Sequence, residues 1–399
     1  MISTRRGFAK SGAPSVAGRL GIAGTLAASL LLGGCVSAGR PLPFAHNPFT
    51  ATEGPQAQLS LYSIDWWHRL VPPLSYEYAP REFASPSVDV ENDRVLVVTR
   101  DGEVKAFNHA GAPVWTFKTL NRFEAGPLLQ DQIAYVPGGD GTLYALDERT
   151  GALKWKYVAG EALGTVPVVT DGKVVVASAA DTVYVVDAAT GKWDWQYRRD
   201  TPEGFTIHGT ARPAVRDGVV YAGFSDGHLV ALDLATGDVT WDRALSTASQ
   251  FPDVDTEPLF DDQGSLFAAS YSDGLFALDP KTGDVRWHTA DSNGISSLLL
   301  KGNVIFAAGA RGLSAYTSKS GLAVWTLDLG ARAGQQPVFA RGMLLVPTVQ
   351  SLDFVNPTTG KIELRFDPGN GVSATPATAG DRAYVLSNNG YLYAMALRG

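Results

Sequence analysis

The amino-acid sequence predicts an all-β fold, an eight-bladed β-propeller. Gly-x-x-x-Trp pairs recur at Gly111/Trp115, Gly151/Trp155, Gly191/Trp195, Gly237/Trp241, Gly283/Trp287 and Gly321/Trp325, and Gly360/Leu364 keeps the register without the Trp. Successive glycines stand 40, 40, 46, 46, 38 and 39 residues apart, a period that fits four short strands per repeat. A second register of prolines opens the units at Pro86, Pro127, Pro167, Pro213, Pro258, Pro337 and Pro376; with the unit near Ser297, which lacks one, the units number eight.

One unit reads most clearly over residues 127–157. Pro127 opens strand a, and residues 132–136 alternate around a buried face as strand b. Gly138-Gly-Asp-Gly141 is the b–c turn and residues 143–146 are strand c. Asp147 through Gly151 form the c–d hairpin, where Asp caps the turn and Gly takes positive φ. Residues 153–157 are the outermost strand d. The last unit ends in a strand c at residues 391–395, with no chain left for a strand d. Residues 60–70, with Trp66 and Trp67, have no other unit to join. The expectation is that this N-terminal strand completes the eighth blade and removes the open edge of the ring. The repeated Trp residues are expected to pack between blades, each indole N–H on a backbone acceptor, and not to hold a cofactor.

The chain divides into three parts. Residues 1–19 carry Arg5, Arg6, Lys10 and Arg19 and no acid, and residues 20–33 are apolar but short for a membrane span. Residues 1–34 read as a lipoprotein signal peptide. Leu32-Gly33-Gly34-Cys35 resembles the bacterial lipobox, which makes Cys35 the lipidated N-terminus. Val36 follows where an inner-membrane retention signal would place Asp, which favours the outer membrane. The Thr4–Lys10 stretch matches a twin-arginine motif and equally a plain basic n-region, so two export routes stay open. Residues 35–58, with Pro41, Pro43, Pro48 and Pro55, read as a tether with a reach of about 25 Å. Residues 59–399 are the propeller.

Composition narrows the function classes. Net charge is −7 with no basic cluster, which argues against nucleic acid as a partner. A single cysteine excludes an intramolecular disulfide. The six His residues have no metal-ligand spacing, and no catalytic, cofactor or metal constellation is found.

The repeat departs from its own rule in two neighbouring places. From the Trp register to the next Pro, the d-to-a connector spans 12 residues for Trp115→Pro127, Trp155→Pro167, Trp325→Pro337 and Leu364→Pro376. It spans 18 for Trp195→Pro213 and 17 for Trp241→Pro258. Long connectors on a rigid scaffold are where binding is usually placed. The first holds Phe205, Ile207 and His208, and the second holds Phe251, Asp253 and Asp255. Apolar groups beside carboxylates suit a protein partner with an apolar patch and a basic rim. The competing reading has the apolar groups folding back onto the blades and the Asp residues capping turns. A further long loop, residues 68–85, sits at the ring closure and reads as a second contact or as packing.

The phrase Tyr144-Ala-Leu-Asp-x-x-Thr-Gly-x-x-x-Trp155 resembles the repeat of the quinoprotein (PQQ-type) propellers. With lipobox, tether and eight such units, the chain is similar over nearly its whole length to the BamB family of outer-membrane assembly lipoproteins. The more specific stretches are Val158–Leu163 and Asp253–Pro258. This resemblance implies a non-enzymatic scaffold, lipid-anchored on the periplasmic face of the outer membrane. Its partners would be a BamA-type barrel assembly protein, bound through POTRA domains, the other Bam components, and unfolded outer-membrane clients. Asp253 and Asp255 match the family's paired acids, Phe205 and Ile207 stand where it has two leucines, and His208 replaces its Arg. That last departure exchanges a permanent bidentate cation for a largely neutral ring. The alternatives are a periplasmic PQQ-dependent dehydrogenase-like protein and a propeller scaffold of another envelope complex. The quinoprotein enzymes carry a vicinal disulfide at the cofactor, which a chain with one cysteine cannot form.

Overall fold

Short apolar strands separated by Asp- and Gly-rich turns can satisfy their backbone only by pairing with the next strand along, so each repeat folds as an antiparallel meander. The computed structural model describes residues 61–72, 81–119, 122–200, 211–292, 294–310, 312–331, 333 and 335–398. These form eight four-stranded sheets. Blades 1 to 7 span residues 87–118, 128–158, 168–198, 214–244, 259–289, 295–327 and 338–366, each in the sequential order a-b-c-d. Blade 2 shows the pattern: strand a is Leu128–Gln130, b Ile133–Pro137, c Thr142–Asp147 and d Leu153–Val158. Strands b and c are almost wholly buried, whereas d alternates between exposed and half-buried. The blade without a proline replaces it with a longer strand a, Ile295–Lys301, that carries a bulge.

Blade 8 is built from both ends of the chain. Ala377–Ala379, Arg382–Leu386 and Tyr391–Leu397 supply strands a to c, and Tyr62–Arg69 is strand d. The register places Trp66 opposite Ala394. Two further backbone bonds hold the junction, Arg398 N–H to Leu61 O at 2.8 Å and Leu70 N–H to Gly390 O at 2.7 Å. The expected closure by the N-terminal strand is thus observed.

The apolar core falls into eight clusters, each spanning two neighbouring blades. The repeated Trp residues work at these interfaces. Trp155 of blade 2 lies over Gly191 in the c–d hairpin of blade 3, where an added Cβ would stand 2.4 Å from its ring. Gly191 also has φ +69, so any larger residue would both clash and be strained. The indole N–H of Trp155 donates to Ala188 O of the same hairpin at 3.0 Å. The same forward contact joins Trp66 to Gly111, Trp115 to Gly151, Trp195 to Gly237, Trp241 to Gly283, Trp287 to Gly321 and Trp325 to Gly360. Each indole again bonds a hairpin carbonyl, at 2.7 to 3.1 Å. Leu364 departs from the series for a structural reason: the blade that follows has its strand d from the other end of the chain, so it offers no c–d hairpin to cover. Packing fills that interface instead, with Tyr62 stacked on Phe354 at 5.4 Å and edge-on to Phe366 at 5.9 Å.

The c–d hairpins bear out their sequence reading. Asp147, Asp187 and Asp233 each accept the backbone N–H of the Thr three residues on. At Asp147 and Asp187 the hydrogen bonds from that Thr hold the carboxylate below its ordinary pKa.

Glu148 occupies one of these hairpins and is 2% exposed, with its carboxyl group beside that of Asp89. Burial, with the nearby acids Asp89 and Asp147, raises its pKa from 4.5 to about 7, against the opposing pull of Arg94. The folded chain therefore holds a proton there that the unfolded chain releases, so stability falls as pH rises from about 4.5 through 7. Glu148→Gln is expected to match the wild type at pH 4.5 and to exceed it at pH 8 by about 3 kcal/mol in denaturant unfolding. An equal difference at both pH values would contradict this.

Candidate docking face

In a meander blade the b–c turn and the connector leaving strand d emerge on the same face. The connector from blade 4 to blade 5 begins where Leu245 N–H donates to Gly227 O of the blade 4 b–c turn at 2.8 Å. It then passes between the b–c turns of both blades. Val254 N–H donates to Phe224 O at 3.1 Å on one side, and Tyr271 N–H donates to Asp253 O at 2.9 Å on the other. The buried Ser270 hydroxyl donates to Pro252 O at 3.0 Å, and Thr256 Oγ accepts Ala269 N–H at 2.9 Å. Every few residues the connector is tied to a sheet, so it is a fixed surface.

These ties place the candidate residues. Phe251 is 37% exposed and has φ +52, an uncommon backbone state for an aromatic residue. Its ring meets Tyr271 edge-on at 6.1 Å, and Ser272 Oγ donates to its carbonyl at 2.7 Å. The strained backbone presents a large apolar side chain outward from a pinned loop. Asp253 is fully buried, and Asp255 is half-buried. The sequence reading put both acids on the contact surface; the structure has Asp253 inside the connector, because Gly223 lets Val254 pack directly on blade 4. Phe205, Ile207 and His208 lie outside the described residues, as do Cys35, the tether and the 73–80 part of the ring-closure loop.

Charged residues that sequence reasoning passed over stand at the ends of both long connectors. Arg199 directly follows strand d of blade 3, Trp193–Arg198. Its Nε donates to Asp226 at 2.5 Å, and its Nη1 to Asp242 at 2.7 Å and to the Tyr197 hydroxyl at 3.3 Å. His228 Nδ1 bonds the other oxygen of Asp242 at 2.5 Å. Burial alone would raise the Asp242 pKa, but the bonds from His228 and Arg199 hold it below the usual carboxylate range. At the other end Arg212 bonds Glu257 at 2.9 Å and the carbonyls of Val166 and Pro167 at 3.1 Å. Glu257 has a raised pKa because burial outweighs the attraction of Arg212. Arg212 and Glu257 each directly precede the strand-a proline of their blade, a signal that was available in the sequence. Away from this region, Glu82 of the ring-closure connector is 1% exposed, pairs with Arg100 and accepts nothing from Asn388, whose Oδ1 instead takes the Glu82 backbone N–H at 3.1 Å.

Among the described residues no group of His, Cys, Asp and Glu is placed to hold a metal ion. No described helix is long and apolar enough to cross a membrane.

The sequence model of the family described as outer membrane protein assembly factor BamB matches residues 100–326 and 309–398. Among solved structures, BamB from Moraxella catarrhalis superposes with a TM-score of 0.71 at 23% identity, covering 84% of this chain and 100% of that one. The quinohemoprotein alcohol dehydrogenase of Comamonas testosteroni gives 0.67 at 15% identity, covering 88% and 79%. The computationally designed protein Ika8 gives 0.66 at 15%, covering 83% and 100%. At these identities the structural likenesses establish the fold alone. No curated protein matches the sequence.

Gly223 has a direct hold on the connector of residues 245–257, since an added Cβ would stand 2.1 Å from Val254 O. Gly223→Ala should raise amide exchange of Val254 and its neighbours at least tenfold, with blade 1 unchanged. Unaltered exchange at Val254 would show that the connector does not rest on blade 4 as described.

Proposed function

Since this chain belongs to the BamB family of outer membrane protein assembly factors, we propose that it is a non-enzymatic scaffold lipoprotein of the barrel assembly machinery. Cys35 is its lipid anchor, holding the propeller at the periplasmic face of the outer membrane. Two acyl chains suffice for stable anchoring. Its partner is the BamA-type barrel protein, taken up through POTRA domains on the face formed by the two long connectors.

The observation that carries the docking site is the pinned connector of residues 245–257, which exposes Phe251 on a backbone fixed from both sides. A large apolar side chain on an ordered loop binds with little ordering cost. Phe251 and the half-buried Asp255 meet the partner in this reading, Asp253 shapes the connector from within, and Phe205, Ile207 and His208 add the contacts of the neighbouring connector. Nascent barrel strands are further clients, adding to the outer edges of the blades by strand pairing. The quinoprotein reading draws on the likeness to alcohol dehydrogenases, which is one of fold. The sole cysteine, at position 35, leaves none for a cofactor disulfide.

Affinity purification from solubilised envelopes tests the assignment. The wild type should retain the BamA-type protein, and a Phe205→Ala/Phe251→Ala/Asp255→Ala variant with unchanged circular dichroism should lose it. Absence of that protein from the wild-type eluate would overturn the assignment, and equal recovery with the variant would overturn the site.

A further inference from the structure

The connector that leads from strand d of blade 8 into strand a of blade 1 is pinned in the same manner as residues 245–257. Leu70 and Val71, at its start, give their amides to Gly390 O in the blade 8 b–c turn at 2.7 and 3.3 Å. Residues 81–86, at its end, are held through Glu82. The Glu82 N–H donates to Asn388 Oδ1 of that same turn at 3.1 Å. The Glu82 carboxylate accepts the backbone N–H of Arg100, in the blade 1 b–c turn, at 3.1 Å, and pairs with the Arg100 guanidinium. Ser85 O packs on Gly126, whose added Cβ would stand 2.3 Å from it, so the connector entering blade 2 backs this stretch as well.

Exposure alternates along this pinned run. Glu82 and Ala84 are 1% and 0% exposed, whereas Arg81 and Phe83 face solvent, Phe83 at 41%. The repeat supplies an internal comparison. Four residues before the strand-a proline, other blades place Phe123, Leu163, Val254, Ala333 and Val372, all buried. Glu82 thus takes a core position, where bonds to two turns replace apolar packing. One residue later the other blades with that proline place Glu124, Gly164, Thr210, Asp255, Gly334 and Ser373. Phe83 is the one large apolar residue at its position, and it is turned outward where the repeat asks for no aromatic group.

The two pinned connectors open on the same face. In a ring of eight blades, the junction of blades 8 and 1 and that of blades 4 and 5 are four blades apart in either direction. This face therefore presents two exposed phenylalanines, Phe83 and Phe251, on opposite sides of the ring. Large apolar groups on fixed backbone bind with little ordering cost, and aromatic residues and Arg are the enriched anchors of interfaces. The local charges differ. Phe251 shares its connector with Asp255, which suits a basic rim, whereas Phe83 stands two residues from the exposed Arg81. What fits at Phe83 is an apolar segment that carries a carboxylate.

We propose that Arg81 and Phe83 form a second contact site for the partner that meets Phe251, taking an apolar segment of that partner with a carboxylate beside it. The proposal rests on the docking role given above. It adds that the partner spans the ring and is held at two points, the second contact forming at the effective concentration set by the first.

The test uses the full chain in cells, with a photo-crosslinking amino acid placed singly at position 83, 251 or 90. Val90, 62% exposed at the a–b turn of blade 1 on the opposite face, is the control. Adducts with the BamA-type protein are expected from positions 83 and 251 and not from 90. The second measurement is affinity for the POTRA domains of that protein. Arg81→Ala/Phe83→Ala should lose on the order of tenfold, with an unchanged unfolding midpoint because both side chains are exposed. Arg81→Glu should lose more than Arg81→Ala, and Arg81→Lys should stay near the wild type. Adducts from 251 without adducts from 83 would overturn the second site and leave the docking face standing. Adducts from 83 with a different protein alone would overturn the claim that one partner spans the ring. Equal affinity of Arg81→Glu and the wild type would overturn the carboxylate contact. Absence of the BamA-type protein from the adducts of both positions would overturn the docking reading and the proposal with it.

Discussion

The ring depends on one contact repeated between blades: an indole from an outer strand lying flat on a glycine of the next blade's hairpin, its N–H on a carbonyl of that hairpin. The contact runs forward only. Blades 1 to 6 thus each offer a Trp to one neighbour and a glycine to the other, while blade 7 offers only the glycine and blade 8 only the Trp. A meander blade on its own leaves both faces apolar, so the stacking of neighbours is what buries a core. Polar residues reinforce the direction in three places, where His68, Arg243 and Thr289 bond the carbonyls of Gly111, Gly283 and Gly321.

Closing such a ring needs a blade whose strand d comes from the start of the chain. Trp66 therefore does for blades 8 and 1 what Trp155 does for blades 2 and 3, although 325 residues of sequence separate it from its own blade's strand c. The cost of this arrangement appears at the interface between blades 7 and 8, where no hairpin is available and Tyr62, Phe354 and Phe366 pack together instead. A rigid ring is also what allows the connector from blade 4 to blade 5 to hold a fixed position, since it is tied to both blades at once.

The fold was legible because its signals are local and repeated. The proline and Gly-x-x-x-Trp registers gave the blade count, and the chain shortfall after residue 395 gave the closure. What spacing could not reveal is that the Gly and Trp of one pair belong to different interfaces, because their true partners lie about one repeat away. Leu364 looked like a lapse in the pattern and is a consequence of the closure. Connector length singled out residues 245–257, but Asp253, read as a surface contact because it sits in that connector and matches the family's paired acids, is buried. The absence of a side chain at Gly223, which draws the connector inward, is a tertiary fact. Arg199 was missed for a similar reason, since its partners Asp226 and Asp242 stand 27 and 43 residues away.

The account makes the ring one cooperative unit, closed through Trp66. The direct test is Trp66→Ala against Trp193→Ala, the latter removing an indole that is 55% exposed on the outer strand of blade 3. Denaturant unfolding followed by amide exchange across all blades should show Trp66→Ala losing about 3 kcal/mol in a single transition, with exchange faster even in blades 4 and 5. Trp193→Ala should stay within about 0.5 kcal/mol of the wild type. Fraying confined to blades 8 and 1, with blades 4 and 5 protected as before, would contradict the account.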